Sequence, residues 1–399
     1  MILLKRSWMN TSLNGWVNRV LSSPRHILVS RRNPSVWRDT VYKTDLLNAI
    51  LKIKVITRSY LHITSSPQPY TRSSKEAIEN VRKLIRGIED PDQIINALIR
   101  SGVIKAYTGS YFEQFKLNGK PVIPGSSLKG AIRSRLELLA MESNGVNIAC
   151  FIRSSYLRSI PNVGQHGWRH TRIWGKTVLE NRGRTCDATR WGVYEDINVC
   201  KTCDLFGTSG LISRIDFSTL YPTVQNAMVE LNVFFSCDHR RIVGGVVEAI
   251  KPSTVFEGEI AVHGLSDSEF GLLAIGLRLH EEGNPILTGR FKYRRLAVCE
   301  DNAVKPVVFG RLEISPLELR LPITHKKYLE KHGIEYERVG HSCIVKGDDL
   351  VNYIKYAVEE AYKVYGKYLP RDFDEIRVLE EQVWAKEREW WNNCICGKR

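Results

Sequence analysis

The sequence predicts a mixed α+β fold assembled from modules of the split β-α-β kind. Segments with strand and helix patterns follow one another as strand, helix, strands, helix, strand, and this order occurs twice. Hydrophobic residues make up 43% of the chain and charged residues 25%, as in globular proteins. The 399 residues provide enough chain for about two domains with their own cores.

The first half of the chain contains an arm, a strand and two helices. Residues 1–45 are basic, and prolines interrupt any long helix there. Apolar and charged residues alternate over 46–63, which predicts a strand with one face in water. Apolar residues recur at helical spacing over 73–102, and Pro91 divides this stretch into two helices of an insertion.

The second half adds further strands and helices. Asn118-Gly119 predicts a tight turn, and a helix follows to Leu139, with Ser126 or Ser127 as its cap. Ser266 and Glu269 form a capping box that opens another helix, with Gly283 past its end. Strands are predicted at 229–235, 254–262 and 307–314, and a helical region divided by Pro370 at 348–391. The predicted domains are an arm (1–45), a core (46–315, including the insertion at 73–102 and a loop-rich region at 150–210) and a C-terminal helical region (316–399).

The charge balance predicts a polyanionic partner. The formal net charge is +15 and the sequence pI is near 9.4. Nucleic acid fits this charge, and so do a membrane surface and an acidic protein. No run of about 20 apolar residues can span a bilayer, and the first residues lack the apolar core of a secretory signal. A cytoplasmic protein without a membrane partner is therefore expected.

The most informative segment is Ile123 to Arg133, IPGSSLKGAIR. A Gly-Ser-Ser turn entering a helix presents free backbone N–H groups and the positive end of the helix dipole. Lys129 and Arg133 are four residues apart, so helical spacing places both on one face. These groups suit a phosphate backbone, although an ordinary surface helix with a solvated basic face has the same pattern.

The cysteines predict a metal centre. Cys200 and Cys203 are separated by two residues, the gap that lets both thiolates bind one tetrahedral ion, and Cys186 lies in the same loop-rich region. A structural zinc would explain how a segment with little apolar periodicity folds. His170 is the first candidate for a fourth ligand, followed by His166 and Cys150. The alternative is a set of reduced, unliganded thiols, which is also the interpretation of the remaining candidates, Cys237, His239, Cys394 and Cys396.

Several of these segments resemble one protein family. The IPGSSLKGAIR string resembles the signature of the RAMP superfamily of CRISPR-associated proteins, which supply the backbone subunits of type III effector complexes. Three further blocks are similar to that family in the same order. They are 53–64 (IKVITRSYLHIT), 203–207 with 213–215 (CDLFG and SRI), and 247–250 with 254–256 (VEAI and TVF).

The resemblance implies a ferredoxin-like, RRM-related core that grips guide RNA by its sugar-phosphate backbone. It implies RNA contacts at Ser126, Ser127, Lys129 and Arg133. It also implies neighbouring RAMP subunits, a large subunit at one end of the complex, and target RNA as a further partner. The complete expectation is an α+β fold with one or two ferredoxin-like modules, a loop-rich zinc-stabilised insertion and helical additions, acting as a Csm- or Cmr-type backbone or capping subunit.

A basic stretch corresponds to a glycine-rich, RNA-contacting loop of the family. It contains Arg290, Lys292, Arg294 and Arg295, interleaved with Phe291 and Tyr293. Cations alternating with aromatic rings can pair with phosphates and stack on bases. A strand with a solvated basic face is the other interpretation.

Catalysis is where the chain departs from the family. Members that cut target RNA resemble one another in an aspartate on a loop before the IPGSS string. Here Thr108–Phe112 occupies that place without an aspartate, and the nearest carboxylates are Glu113 and, in the insertion, Asp90 and Asp92. In-line cleavage requires exact positioning, so a non-catalytic subunit is expected. The alternatives are an endoribonuclease, with His62 as a candidate base, and a zinc-stabilised DNA-binding protein, whose helix-turn-helix and finger spacings are missing.

Overall fold

The computed structural model describes residues 25–26, 28–31, 45–66, 70–73, 75–101, 108–140, 146–150, 161–163, 165, 167–174, 186, 197–238, 241–301 and 303–387. Within this part of the chain the protein is a mixed α+β structure with nine α-helices. Most of the predicted basic arm lies outside the described residues.

The strands and helices follow in chain order. The strands are β1 (Arg25–His26), β2 (Leu28–Arg31), β3 (Leu47–Thr57), β4 (Tyr70–Ser73), β5 (Thr108–Phe112), β6 (Lys116–Leu117), β7 (Lys120–Pro121), β8 (Val146–Asn147), β9 (Ile197–Cys200), β10 (Ile215–Phe217), β11 (Tyr221–Pro222), β12 (Met228–Asp238), β13 (Arg241–Ile250), β14 (Val255–Leu265), β15 (Ile286–Leu287), β16 (Arg295–Glu300), β17 (Ala303–Val308), β18 (Arg311–Pro322), β19 (Glu337–Val339) and β20 (Ser342–Lys346). The α-helices are α1 (Lys75–Leu84), α2 (Pro91–Ser101), α3 (Gly125–Leu139), α4 (Trp168–Trp174), α5 (Lys201–Phe206), α6 (Asp267–Leu277), α7 (Lys326–Lys331), α8 (Gly347–Tyr365) and α9 (Glu375–Leu379), and a π-helical turn (Glu380–Trp384) follows α9.

The larger sheet has β3 near its centre. Its strand order is β10-β14-β3-β18-β20-β19, with β11 paired to β14 and β15 to β18, and all of these pairs are antiparallel. Burial alternates residue by residue along β3, as the sequence pattern predicts. Ile53 is fully buried and lies opposite Gly258 on one neighbour and Pro316 on the other. One face of this sheet therefore carries the main core.

Three helices cover that core. Among the strands of this sheet and the helices on it, the chain order is β3, α3, β10, β14, α6 and β18. In space, the four strands lie in the order β10-β14-β3-β18. Helix α6 packs on α3 and α8. It passes so close to α8 that a β-carbon at Gly271 would overlap the carbonyl oxygen of Ala357. The glycine thus makes this helix crossing possible.

The capping box at the start of α6 confirms the sequence prediction. The Ser266 side chain accepts from the Glu269 backbone N–H, and the Glu269 carboxylate accepts from that of Ser266. The helix ends at Leu277 and Gly283 lies past its end, as predicted, and Arg278 rather than a glycine adopts the left-handed conformation at the cap (φ 63°).

A second, six-stranded sheet has the order β17-β16-β12-β13-β5-β4. The pairing of β13 with β5 is parallel, and the other pairs are antiparallel. Its own small core contains Phe112, Val233, Ala249, Leu296 and Phe309, among others.

The predicted strand at 307–314 is two strands. Gly310 has a positive φ of 81°, and it separates β17 from β18, which belong to different sheets. Strand β18 runs through the predicted domain boundary at 315, and β20 and β19 continue the same sheet. From Gly347 onward the described residues contain helices and no strand.

Candidate nucleic-acid interface and metal centre

Helix α3 begins at Gly125, two or three residues earlier than a cap at Ser126 or Ser127 implies. Its N-cap is Pro124, which makes no side-chain cap, and Ser126 and Ser127 lie within the first turn. The backbone N–H groups of Ser127 and Leu128 donate to the Pro124 carbonyl at 2.9 and 3.2 Å. The prediction that a serine side chain caps this helix is wrong, because proline ends the preceding extended segment and the helix starts directly after it.

Gly125 fixes the position of this first turn. A β-carbon at Gly125 would overlap the Phe217 carbonyl oxygen, so only glycine lets α3 begin against the end of β10. The segment before the helix is held by an antiparallel β-bridge between Ile123 and Leu220. Ser126 is exposed at the start of the helix and Ser127 is half-buried. The turn is therefore anchored on one side and open to solvent on the other.

Lys129 lies on the next turn, with its side chain 25% exposed. Its Nζ is 3.6 Å from Oδ1 of Asp216, whose side chain is 59% exposed. Partial burial lowers the pKa of Lys129, and Asp216 opposes that shift. A β-carbon at the adjacent Gly130 would meet no atom within 4 Å, so the helix surface is open there. Exposed ion pairs contribute about 0–1 kcal/mol, so a phosphate can replace Asp216 at small cost.

Arg133 does not share this open surface. Its side chain is 12% exposed. The guanidinium donates from Nε to Glu137 at 2.8 Å, from Nη1 to the Gly207 carbonyl at 2.6 Å, and from Nη2 to Sγ of Cys203 at 3.0 Å. The expectation of one exposed basic face with Lys129 is therefore wrong, because α5 packs against α3 at this turn.

Four cysteines converge beside α5. The Sγ atoms of Cys150, Cys186, Cys200 and Cys203 all lie within 4.8 Å of one another. Strand β9 ends at Cys200, which caps α5 by accepting from the Cys203 N–H at 3.4 Å. The Cys150 N–H also donates to Sγ of Cys200, at 3.2 Å. Such N–H···S bonds orient thiolates toward a shared centre.

The cysteine donor set fits a single tetrahedral ion. Sulfur atoms about 2.3 Å from a zinc ion stand about 3.8 Å apart, in keeping with the 4.8 Å limit on the four Sγ atoms. Cys150, Cys200 and Cys203 are fully buried. Hydrogen bonds from the other thiols lower the pKa of Cys203, and the Arg133 guanidinium acts in the same direction, so this sulfur favours the thiolate form that binds metals. The cluster can therefore hold a metal ion.

The fourth member of the cluster is Cys150, not His170. His170 lies on α4, where its ring stacks 6.1 Å from Trp174 and meets Tyr293 edge-on at 5.3 Å. Cys150 reaches the centre because the Thr202 N–H donates to the Ile148 carbonyl at 3.1 Å, which holds its segment beside α5. His166 lies outside the described residues.

A buried ion network supports the same region, and sequence reasoning missed it. Arg214 donates to Asp204 and to Glu269, both at 2.8 Å. Lys201 donates to Glu269 at 2.7 Å. Burial alone would raise the pKa of Glu269, but Arg214 and Lys201 hold it at about 2. Asp204 and Arg214 belong to the CDLFG and SRI blocks, and the opposite charges in these two blocks were the sequence signal that could have predicted the network. Through Glu269, the network joins α5 to α6.

The basic stretch after Gly289 is a turn, not an alternating strand. Phe291 has a positive φ of 68° and packs 5.5 Å from His62, 5.3 Å from Phe112 and 5.5 Å from Phe235. Tyr293 accepts a hydrogen bond from Trp174 at 3.3 Å. Both rings are half-buried and make these contacts within the protein.

The cations of this stretch are all partly buried. The Arg290 guanidinium lies 4.9 Å above the Phe112 ring, and Lys292 Nζ lies 5.1 Å from the Tyr293 ring. Burial lowers the pKa of Arg294. The backbone N–H of Arg295 donates to the buried Glu387 at 2.9 Å. The stretch is therefore integrated into the fold more than α3's first turn is.

The segment expected to form a catalytic loop is strand β5. The parallel partner β13 and the antiparallel β4 flank it, and Tyr111 is buried. Glu113 accepts a hydrogen bond from Ser65 at 3.2 Å, and Asp90 accepts from the Asp92 N–H at the start of α2. His62 is fully buried, and burial lowers its pKa to about 4.

A mixed α+β protein with an open basic helix turn beside a thiol centre is the class that the geometry defines. The family model of the RAMP superfamily matches residues 57–337, more than half of the chain. The chain therefore belongs to the RAMP superfamily, whose members are CRISPR-associated, and this membership indicates an RNA-binding subunit with protein partners. No curated protein matches the sequence significantly. Across the part of the chain that the structure describes, no helix has the length and apolar character needed to cross a membrane.

Proposed function

We propose that this chain is an RNA-binding structural subunit of a type III CRISPR effector complex. In this proposal it holds the guide RNA by its sugar-phosphate backbone during antiviral defence. Its protein partners are neighbouring RAMP subunits and the large subunit, and target RNA pairs with the guide nearby. Backbone recognition without base readout agrees with the net charge of +15.

One observation carries the proposal: the first turn of α3 is anchored on one side and open on the other. Ser126 is exposed, and Lys129 has only a weak hold on the half-exposed Asp216. Hydroxyl and ammonium donors at a helix N-terminus complement a phosphate. We assign phosphate contacts to Ser126, Ser127 and Lys129, with Arg290 and Lys292 as secondary contacts.

The fold proposal is one ferredoxin-like module formed by β3, α3, β10, β14, α6 and β18. Its support is the chain order strand, helix, two strands, helix, strand, combined with the spatial order β10-β14-β3-β18. The cofactor proposal is a structural zinc held by Cys150, Cys186, Cys200 and Cys203. When bound, zinc supplies a cross-link between chain segments rather than chemistry on a substrate.

The experiment is to purify the chain with the proteins encoded beside it and to measure retained RNA. The expected result is an assembly that contains guide RNA and homologous subunits. Ser126→Asp adds a negative charge at the first turn of α3 and should abolish RNA retention, whereas the matched charge in Asn352→Asp, on the exposed face of α8, should not. Recovery of an RNA-free monomer at low salt would overturn the proposal.

The same assembly distinguishes a structural role from an endoribonuclease. Glu113→Gln, Asp90→Asn and Asp92→Asn should leave cleavage of target RNA unchanged, because none of these carboxylates lies within Thr108–Phe112, the segment that takes the place of the family's aspartate-bearing loop. Loss of cleavage in one of these variants would assign the catalytic role to this subunit.

A further inference from the structure

The Arg133 side chain connects two regions that are otherwise far apart in sequence. It extends from α3 to Cys203 in α5 and to Gly207, the residue that follows α5. Its three nitrogens each donate one hydrogen bond, to Glu137 on its own helix, to the Gly207 carbonyl and to Sγ of Cys203. The guanidinium thus touches the thiol centre directly.

The charges at the centre require such a partner. Four thiolates around a divalent ion carry a net charge of minus two, and charge buried without compensation is costly. Two other cations lie nearby, Lys201 in α5 and Arg214 directly before β10. Both form ion pairs with Glu269, at 2.7 and 2.8 Å. Among the residues that the structure describes, Arg133 has a nitrogen at hydrogen-bond distance from a cluster sulfur, 3.0 Å from Sγ of Cys203.

We propose that Arg133 is a positioning residue that couples the metal centre to the RNA-binding turn of α3. Its N–H···S bond stabilises the metal-bound form of Cys203, and its bond to Gly207 locks the end of α5 against α3. Gly207 is suited to this contact because its φ of 81° and its close approach to Leu211 leave no room for a side chain. Bound metal therefore holds α3 in place, and the second half of the inference rests on the proposed function.

This assignment predicts that substitution of Arg133 and substitution of Lys129 have different effects on metal retention and on RNA binding. Arg133→Met removes the donor and the charge while keeping most of the side-chain volume. Metal-bound residues that lose an outer hydrogen bond typically lose about 10- to 100-fold in metal affinity. Lys129→Gln is the matched control, because Lys129 pairs with Asp216 and not with sulfur.

The experiment uses the full-length protein loaded with zinc, and separately with cobalt. The readouts are the rate of zinc release to a chromogenic chelator, the sulfur-to-cobalt charge-transfer bands, and affinity for single-stranded RNA. Arg133→Met should release zinc at least 10-fold faster and shift the cobalt bands, while Lys129→Gln leaves both unchanged and lowers RNA affinity. Arg133→Lys keeps the charge with fewer donors and should fall between Arg133→Met and the unmodified protein.

The inference is overturned if Arg133→Met releases zinc at the wild-type rate, leaves the cobalt bands unshifted and loses RNA affinity as Lys129→Gln does. Arg133 would then belong to the RNA surface. If Arg133→Met does not fold, the cobalt bands of Arg133→Lys decide, since an unshifted spectrum contradicts the N–H···S role. If the unmodified protein binds no RNA, the proposed function fails, yet the zinc and cobalt readouts still test Arg133.

Discussion

Two regions of this protein are held together by different forces. The layer of α3, α6 and α8 on the larger sheet is an apolar core with fully buried side chains such as Leu51, Ile53 and Phe270. The cysteine region has a small cluster formed by Cys150, Val199, Cys200 and Cys203, surrounded by buried charges. The first region depends on hydrophobic burial, whereas the second depends on thiols and ion pairs, so the two should fail under different conditions.

The largest difference should come from the cysteine centre. Cys203→Ser, or a chelator, removes the proposed metal, whose apparent contribution in small structural zinc sites is about 10–16 kcal/mol. Hydrogen exchange should then increase strongly at 146–150 and 197–207, while amides of β3 stay protected. Cys343→Ser is the matched control, because Cys343 is a fully buried thiol of the main core. It should cost about 1–3 kcal/mol and leave metal content unchanged.

Equal protection of the cysteine region in Cys203→Ser and in the unmodified protein would remove the distinction between the two regions. It would mean that the segment folds on its apolar contacts and ion pairs without a metal. Metal analysis of the same samples separates this outcome from simple retention of the ion by three remaining thiols.

The next largest effect should come from Glu269→Gln. The substitution leaves Arg214 and Lys201 without their shared carboxylate, and breaking a buried ion pair costs about 3–5 kcal/mol. The folded-state pKa of Glu269 is about 2, below its ordinary value of 4.5. Its stabilising contribution is therefore present above about pH 4.5 and is lost as the pH falls toward 2. Urea unfolding at pH 7 and pH 3 measures this difference.

The unmodified protein should lose more stability than Glu269→Gln between these two pH values. Glu259→Gln, at an exposed position of β14, is the control and should follow the unmodified protein. A Glu269→Gln variant with unchanged stability at pH 7 would show that the buried network contributes little to the link between α5 and α6.

The apolar layer is tested by two glycines on its helices. Gly271→Ala places a methyl group against the Ala357 carbonyl, and forcing α6 and α8 apart should cost about 3 kcal/mol. Gly130→Ala meets nothing within 4 Å, and in a helix interior it should stabilise by about 0.5–1 kcal/mol. Thermal unfolding measures both, and neither change should alter metal content. A stable Gly271→Ala protein would contradict the close packing of this layer.

Sequence reasoning succeeded where a local pattern determines the structure. The alternation along β3, the capping box of Ser266 and Glu269, and the Asn118-Gly119 turn each depend on neighbouring residues, and all are present. Strands β19 and β20 were not predicted, because these short segments become strands through pairing, β20 with β18 and β19 with β20. The break at Gly310 was missed because the strand pattern continues on both sides of it.

The same distinction applies to the candidate site. The two-residue gap of Cys200 and Cys203 identified half of the thiol centre, and nearby Cys186 followed. Cys150 is fifty residues before Cys200 and carries no spacing signal, since a backbone contact of Ile148 brings it in. Arg133 was misplaced for a related reason: helical spacing puts it beside Lys129, but the packing of α5 decides which of the two is exposed.

The smallest expected effect concerns the open end of α3, where the two regions meet. Lys129→Gln removes one cation whose partner, Asp216, is mostly exposed, so the free energy of unfolding should change by less than about 0.5 kcal/mol. If Lys129 contacts a phosphate, RNA affinity should fall at low salt, and the slope of log affinity against log salt should decrease by about 0.7. Fluorescence anisotropy with single-stranded RNA across a salt series measures both quantities, and Lys355→Gln on the exposed face of α8 is the control. An unchanged salt slope would place Lys129 outside the RNA interface, and the open turn would then be an ordinary solvated helix start.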